Sequence, residues 1–175
     1  MDTTERFFLW PVTKLPNGKY TLPDEMLHAA WNQLVLDGNA GRVFYDGNIK
    51  TAEQFAEYLK APGNYPVFVM DAKNRKAVFL AWLNGMAANT AFAHFTGLGG
   101  KYKPELSSMV ADYWEKMNLF TVLLGVLPVF NANALKVATY GGFKILGTVP
   151  GLCLKADGST ADGIIVYRSM KKEGL

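Results

Sequence analysis

Apolar residues recur along the chain with two different periods. After Pro23, the residues Met26, Leu27, Ala30, Trp31, Leu34 and Val35 fall at helical spacing, and Gly38 ends the run. Proline at a first helical turn is harmless because its missing N–H would have no intrahelical partner. Thr51 with Gln54 three residues later fits a capping box, and Phe55, Tyr58 and Leu59 form one face of a second helix. Pro104 opens a third, with Leu106, Met109, Val110, Tyr113 and Met117 on one side. Asn131 or Asn133 can cap a fourth, which Gly141 and Gly142 terminate.

Between these lie strand patterns. Phe7 to Trp10 reads as a short first strand stopped by Pro11. Pro66 to Met70, Ala77 to Leu83 and Thr90 to Thr96 follow one another across turns at 71–75 and 85–89, which predicts an antiparallel meander. Phe120 to Leu127 is apolar along nearly its whole length, as a buried strand would be. Phe143 to Val149 and Gly163 to Tyr167 complete the chain. The order is β-α-α-β-β-β-α-β-α-β-β, a mixed α/β arrangement rather than a doubly wound one. With no repeat, linker or low-complexity tract, a single domain over 1–175 is expected.

Half of the 175 residues are hydrophobic, enough for one core and far from a disordered composition. A formal charge of +3 can help attract an anionic ligand but is not the dense basic patch of a nucleic-acid binder. Cys153 is the single cysteine, so no intrachain disulfide forms, which suits a reducing cytoplasm. The first eight residues lack the long apolar run of a signal peptide. Leu119 to Phe130, the longest apolar candidate, is too short for a membrane span and contains Gly125 and Pro128. His28 and His94 are far apart and offer no metal-ligand spacing.

One segment carries a more specific signal. Asn131-Ala132-Asn133-Ala134, then Tyr140-Gly141-Gly142-Phe143, then Gly147 and Pro150, together with the element order, resembles the GNAT N-acetyltransferase superfamily. In detail the chain is most similar to members found in phages and prophages. The resemblance spans Phe7 to Met170. It implies a GNAT fold with a mixed central sheet of about seven strands and acetyl-CoA as acyl donor. It also implies that Thr90–Thr96 pairs antiparallel with Ala77–Leu83 and diverges from Phe120–Leu127 at its C-terminal end, with the pantetheine arm between the two. Phe95, Thr96, Gly97, Leu98, Gly99, Gly100, Lys101, Lys103, Asn131 and Ala134 would then hold the cofactor. Glycines let a ligand approach the backbone, amides at a helix start favour pyrophosphate, and Lys101 and Lys103 can add charge. The acceptor would be a small-molecule or peptide amine, with no nucleic acid and no membrane involved. A homodimer stays open, since nothing in the sequence fixes the oligomeric state.

Two features depart from the family pattern. The glycines of the phosphate loop are adjacent and followed by two lysines, and Pro104 removes an amide donor. The family's tyrosine general acid, four residues before the glycine of Gly-Phe, falls on Ala138, and Tyr140 lies roughly 200° away around a helix. These departures keep a rival reading alive, a degenerate GNAT-like domain that binds a ligand or partner without catalysis. His94 shares a strand face with Phe92 and Thr96. If that face lines the cleft, His94 can take a proton from an acceptor amine; the plainer reading is a hydrogen-bonded, structural histidine. Trp31, Trp82 and Trp114 read as core, Cys153 as a loop thiol. Tyr45 and Asp46 lie where GNAT members shape the acceptor pocket, and the glycine-rich stretch from Asp37 to Gly41 reads as a connecting loop that can gate it.

Overall fold

The computed structural model describes residues 6–100 and 104–170. The elements are β1 (Phe7–Pro11), α1 (Asp24–Leu36), α2 (Ala40–Val43), α3 (Ala52–Lys60), β2 (Tyr65–Asp71), β3 (Lys76–Ala87), β4 (Thr90–Gly97), α4 (Leu106–Lys116), β5 (Val122–Pro128), α5 (Ala132–Tyr140), β6 (Lys144–Leu154) and β7 (Thr160–Ser169). The strands form one seven-stranded sheet in the order β1-β2-β3-β4-β5-β7-β6. Neighbours are antiparallel except β4 and β5, which run parallel.

Helices cover both faces, so the strands alternate between two cores. Val67, Val69, Phe79, Ala81, Leu83, Ala91 and Ala93 point to α4 and α5, where Leu106, Val110, Trp114 and Val137 meet them. Phe68, Met70, Leu80 and Trp82 point the other way, to Leu27, Trp31 and Leu34 of α1 and Phe55 and Leu59 of α3. This two-sided burial explains the nearly continuous apolar runs in β2 and β3. The Thr51 hydroxyl accepts from the Gln54 amide at 3.2 Å, as the capping box requires, and the Gln54 side chain accepts from the Lys50 amide rather than from Thr51.

Several boundaries differ from the sequence reading. β3 runs through Gly85 to Ala87, with an irregular register between Asn84 and Ala87, so the turn to β4 is shorter than expected. The stretch 37–41 is not one loop, because residues from Ala40 form a single helical turn. β6 extends to Leu154 and takes in Cys153, which is buried within a strand and is not a loop thiol. There its side chain packs against Gly163, where a β-carbon would stand 3.1 Å from Cys153 Sγ. Helix α4 begins at Leu106, two residues after Pro104.

Candidate active site

The parallel ladder between β4 and β5 is short, joining only Thr90, Ala91 and Phe92 to Val122, Leu123 and Leu124. Beyond it, β4 stays with β3 as far as Gly97, and β5 stays with β7 as far as Pro128. The edges Ala93–Gly97 and Gly125–Pro128 therefore diverge, and backbone groups that would have completed a ladder are turned toward a cleft. The start of α5 forms one wall. The Asn131 side chain caps this helix, its Oδ1 accepting from the Ala134 amide at 3.3 Å. Two adjoining pockets occupy the cleft. One of about 240 Å³ includes Phe95, Thr96, Gly97, Gly100, Asn131 and Ala134 in its lining. The other, of about 290 Å³, reaches from Asn131 and Val126 to Tyr45, Asp46, Tyr58, Trp82 and His94.

His94 stands directly across from Trp82 in the β3–β4 register, which puts both on one face. Their rings stack at 4.8 Å with planes 8° apart. Trp82 Nε1 donates to Tyr58 Oη at 3.0 Å, and Asn84 Nδ2 donates to the same oxygen at 2.8 Å. With its amide nitrogen so engaged, Asn84 turns Oδ1 to His94 Nε2 at 2.9 Å. An acceptor there makes Nε2 the protonated nitrogen and leaves Nδ1 with the lone pair. Burial pushes the His94 pKa down to about 4, so the ring is neutral at pH 7. Burial also raises the Tyr58 hydroxyl, against the lowering effect of its bonds to Trp82 and Asn84. Tyr45 is raised by burial first and then by its hydrogen bond with Cys153.

At the other end of the cleft, Gly99 and Gly100 take φ values of 82° and 71°, a conformation that costs glycine little. The Gly99 amide is already engaged, donating to Asp37 Oδ2 at 2.7 Å. Leu98 is placed differently from the sequence expectation. Its amide donates to Val78 O at 2.9 Å and its side chain is buried in the core under α1 and α3, so neither faces the cleft. Lys101 and Lys103 lie outside the described residues. Ala138 is buried in the core beneath α5, and Tyr140 faces a separate groove with Arg168 and Lys144. The fit of an acyl-coenzyme A molecule is thus uneven. The splayed strands and Asn131 suit a hydrogen-bonding pantetheine arm, whereas a carboxylate holds the amide that a pyrophosphate would use.

No family model and no curated protein matches the chain in sequence. Solved structures do match its architecture. Spermidine N-acetyltransferase from Vibrio cholerae, in complex with CoA and spermine, superposes with a TM-score of 0.73 at 15% identity, over 96% of this chain and 98% of its own. The fold is that of the GNAT N-acetyltransferases. A Salmonella typhimurium acetyl transferase that modifies the N-terminal serine of 50S ribosomal subunit protein L7/L12 gives a TM-score of 0.72 at 11% identity, covering 95% of this chain and 96% of that one. Ribosomal-protein-S5-alanine acetyltransferase from Vibrio fischeri gives 0.70 at 12%, over 95% and 94%. All seven strands of the GNAT sheet are present here, with the fork between β4 and β5 in the middle.

The structure brings together His94, Phe95, Thr96, Gly97, Gly100, Asn131 and Ala134 around the two pockets, and the Gly99 amide is bonded to Asp37, which lines the smaller one. Sequence reading did not anticipate Asn84 and Tyr58 as partners of the imidazole, or Asp37 as a partner of the glycine loop. Asn84 was reachable from the expected strand pairing, because setting Ala77–Leu83 against Thr90–Thr96 brings the end of one strand beside the start of the other, whereas Tyr58 comes from α3, which no strand register places. Among the described residues no group of three His, Cys, Asp or Glu is placed to hold a metal, and no helix is long and apolar enough to cross a membrane.

Proposed function

We propose that the chain is an acetyl-coenzyme A-dependent N-acyltransferase, acting as a single GNAT-like domain over 1–175, whose acceptor is a small-molecule or peptide amine. The observation that carries this reading is the fork between β4 and β5 with a neutral imidazole on one wall of the pocket beyond it. CoA and spermine in the Vibrio cholerae neighbour support the donor and the amine class. Phe95, Thr96, Gly97, Gly100, Asn131 and Ala134 would hold the donor, and Lys101 and Lys103 are proposed to meet its phosphates. Within this reading the amine nitrogen attacks the thioester carbonyl carbon, the C–S bond breaks, and the thiolate leaves. Backbone amides on the free edge of β4 polarise the carbonyl oxygen. His94 Nδ1 takes the proton from the attacking nitrogen, and the thiolate is reprotonated from solvent, since the position of the family's tyrosine is Ala138. Among the described residues no membrane-spanning helix occurs, and a cytoplasmic location without nucleic-acid contacts is part of the proposal.

The test is calorimetric titration with acetyl-coenzyme A, followed by turnover on a panel of amines. Binding together with acetylation of at least one amine is expected, and His94→Gln should lower turnover about 100-fold while leaving donor affinity within a few-fold. The engaged Gly99 amide and the alanine at 138 favour a second reading, a ligand- or partner-binding module. A chain that binds the donor and acetylates none of the panel would favour that reading. Unchanged turnover in His94→Gln would remove the histidine from the mechanism.

A further inference from the structure

Asp37 caps the C-terminal end of α1, where a carboxylate opposes the helix dipole, and the last turn of α1 carries no basic residue to offset it. Two contacts account for its position. Oδ1 accepts from Gln33 Nε2 at 2.8 Å, one turn back in α1. Oδ2 accepts from the Gly99 amide at 2.7 Å, across 62 residues of sequence. A β-carbon built on Gly100 would stand 3.9 Å from Asp37 Oδ1, so the carboxylate lies over both glycines. It also lines the same pocket as Thr96, Gly97 and Gly100, together with Asn39 and Arg42 from its own segment. A short bond from a backbone amide to a charged oxygen is the contact that loops of this kind make to phosphate. Here the anion belongs to the chain.

The segment that carries Asp37 is also fixed at its far end. The Ala156 amide donates to Tyr45 O at 2.8 Å, the Tyr45 hydroxyl bonds to Cys153, and a β-carbon on Gly47 would come within 2.8 Å of the Ala156 side chain. The connection from α1 through α2 therefore spans the mouth of the cleft between two anchors. The anchor at Tyr45 rests on packing and several bonds. Between the anchors Ala40, Val43 and Phe44 pack against the core, with the Phe44 ring beside Trp31, Phe55, Tyr58 and Trp82, whereas the Asp37 carboxylate is held on the cleft side by a single hydrogen bond that an incoming anion can replace.

We propose that Asp37 is an internal anion that fills the phosphate end of the cleft and must be displaced before a phosphate-bearing ligand enters, so that its carboxylate gates the donor site. This rests on the acyl-coenzyme A reading above. Release of Asp37 frees Gly99 N–H for the ligand, and the movement is that of the Asp37 side chain, since the backbone of 37–39 is bonded to α1 and Ala40, Val43 and Phe44 are packed on the core. Asp37→Asn keeps the shape and removes the charge; Asp37→Ala removes the competitor altogether.

The experiment is calorimetry of parent, D37N and D37A with coenzyme A and with pantetheine, which lacks the phosphates, at two salt concentrations. The fold of each variant is checked by its melting temperature. Coenzyme A should bind the variants more tightly than the parent by about tenfold, the scale of one charge-assisted hydrogen bond. The gain should shrink at high salt, and pantetheine affinity should change less than about twofold. In ligand-free protein, the Gly99 amide resonance should move upfield and exchange faster with solvent in D37A than in the parent. Coenzyme A binding that is indifferent to residue 37, or weakened in both variants, overturns the gate and leaves the acyltransferase reading standing. An equal gain for pantetheine also overturns it, since the effect would then be general opening. If no variant takes up either molecule, the acyltransferase reading fails and the gate fails with it. Uptake of coenzyme A by D37A alone supports the gate in its strongest form.

Discussion

The protonation of His94 makes stability depend on pH in a way that one substitution can isolate. The imidazole is half-buried, stacked on Trp82, and titrates at about 4 instead of 6.5. Because the folded value is depressed, the unfolded chain binds this proton more readily than the folded one. Stability is therefore intact above pH 6.5 and falls as the pH drops from 6.5 toward 4. Each pH unit across that interval removes about 1.4 kcal/mol, so the full loss is about 3 kcal/mol, and roughly 2 kcal/mol of it falls between about pH 7 and about pH 5. His94→Gln keeps an N–H donor for Asn84 but cannot titrate. Urea denaturation of parent and variant at pH 7 and pH 5 separates this histidine from His28 and the carboxylates, which both proteins share. The parent should lose about 2 kcal/mol more than the variant on acidification. Equal losses would mean that the ring is protonated as readily in the fold as outside it, and the account of a neutral, Nε2-protonated base would be wrong.

Two further substitutions test how the walls of the cleft are held. Asn131→Ala should cost about 1 kcal/mol in chemical denaturation by removing the cap at Ala134, and Asn131→Ser should recover most of it. Arg168 bonds Gly141 O at 2.8 Å, Asp112 at 2.9 Å and Glu115 at 2.7 Å, tying β7 to α4 and to the end of α5. Arg168→Gln should lower stability by about 2 kcal/mol, and Arg168→Lys should rescue little because a single ammonium cannot reproduce the planar fork.

The fold was legible because its signals are local and agree with one another. Helical spacing from Met26 to Val35, the Thr51–Gln54 cap and the apolar runs of β2 and β3 all point to the elements observed. Two-sided burial of the central strands follows from the same pattern. The ends of elements were less legible. β6 continues through Pro150 and Gly151, residues that normally stop a strand, because it lies at the sheet edge, where an amide can be missing without breaking the sheet. Its register with β7 slips between Val149 and Cys153, and this irregularity absorbs the proline. Reading Val149 as the end of the strand put Cys153 in a loop when it is a core residue.

The candidate site was legible only where one strand decides it. Alternation along β4 places His94 and Thr96 on one face and Ala93 and Phe95 on the other, yet cannot say which face is wet. The structure answers through residues from elsewhere. Trp82 and Asn84 arrive by cross-strand register and Tyr58 from α3, so the imidazole is both packed and polar-partnered. The expected choice between a structural histidine and a cleft histidine was therefore a false alternative, because the contacts that bury the ring are those that fix its tautomer. The same holds at the fork. β4 and β5 separate where Gly125 follows the last paired residue, and a β-carbon there would stand 2.9 Å from Val166 Cγ2 and 3.7 Å from Ala93 O. Without a side chain at 125, Val166 of the neighbouring strand β7 fits against β5 at the point of divergence, and the β5–β7 ladder continues beyond it to Pro128. The cleft can therefore open on one side of β5 while the sheet stays closed on the other, and the proposed acyl transfer relies on that asymmetry.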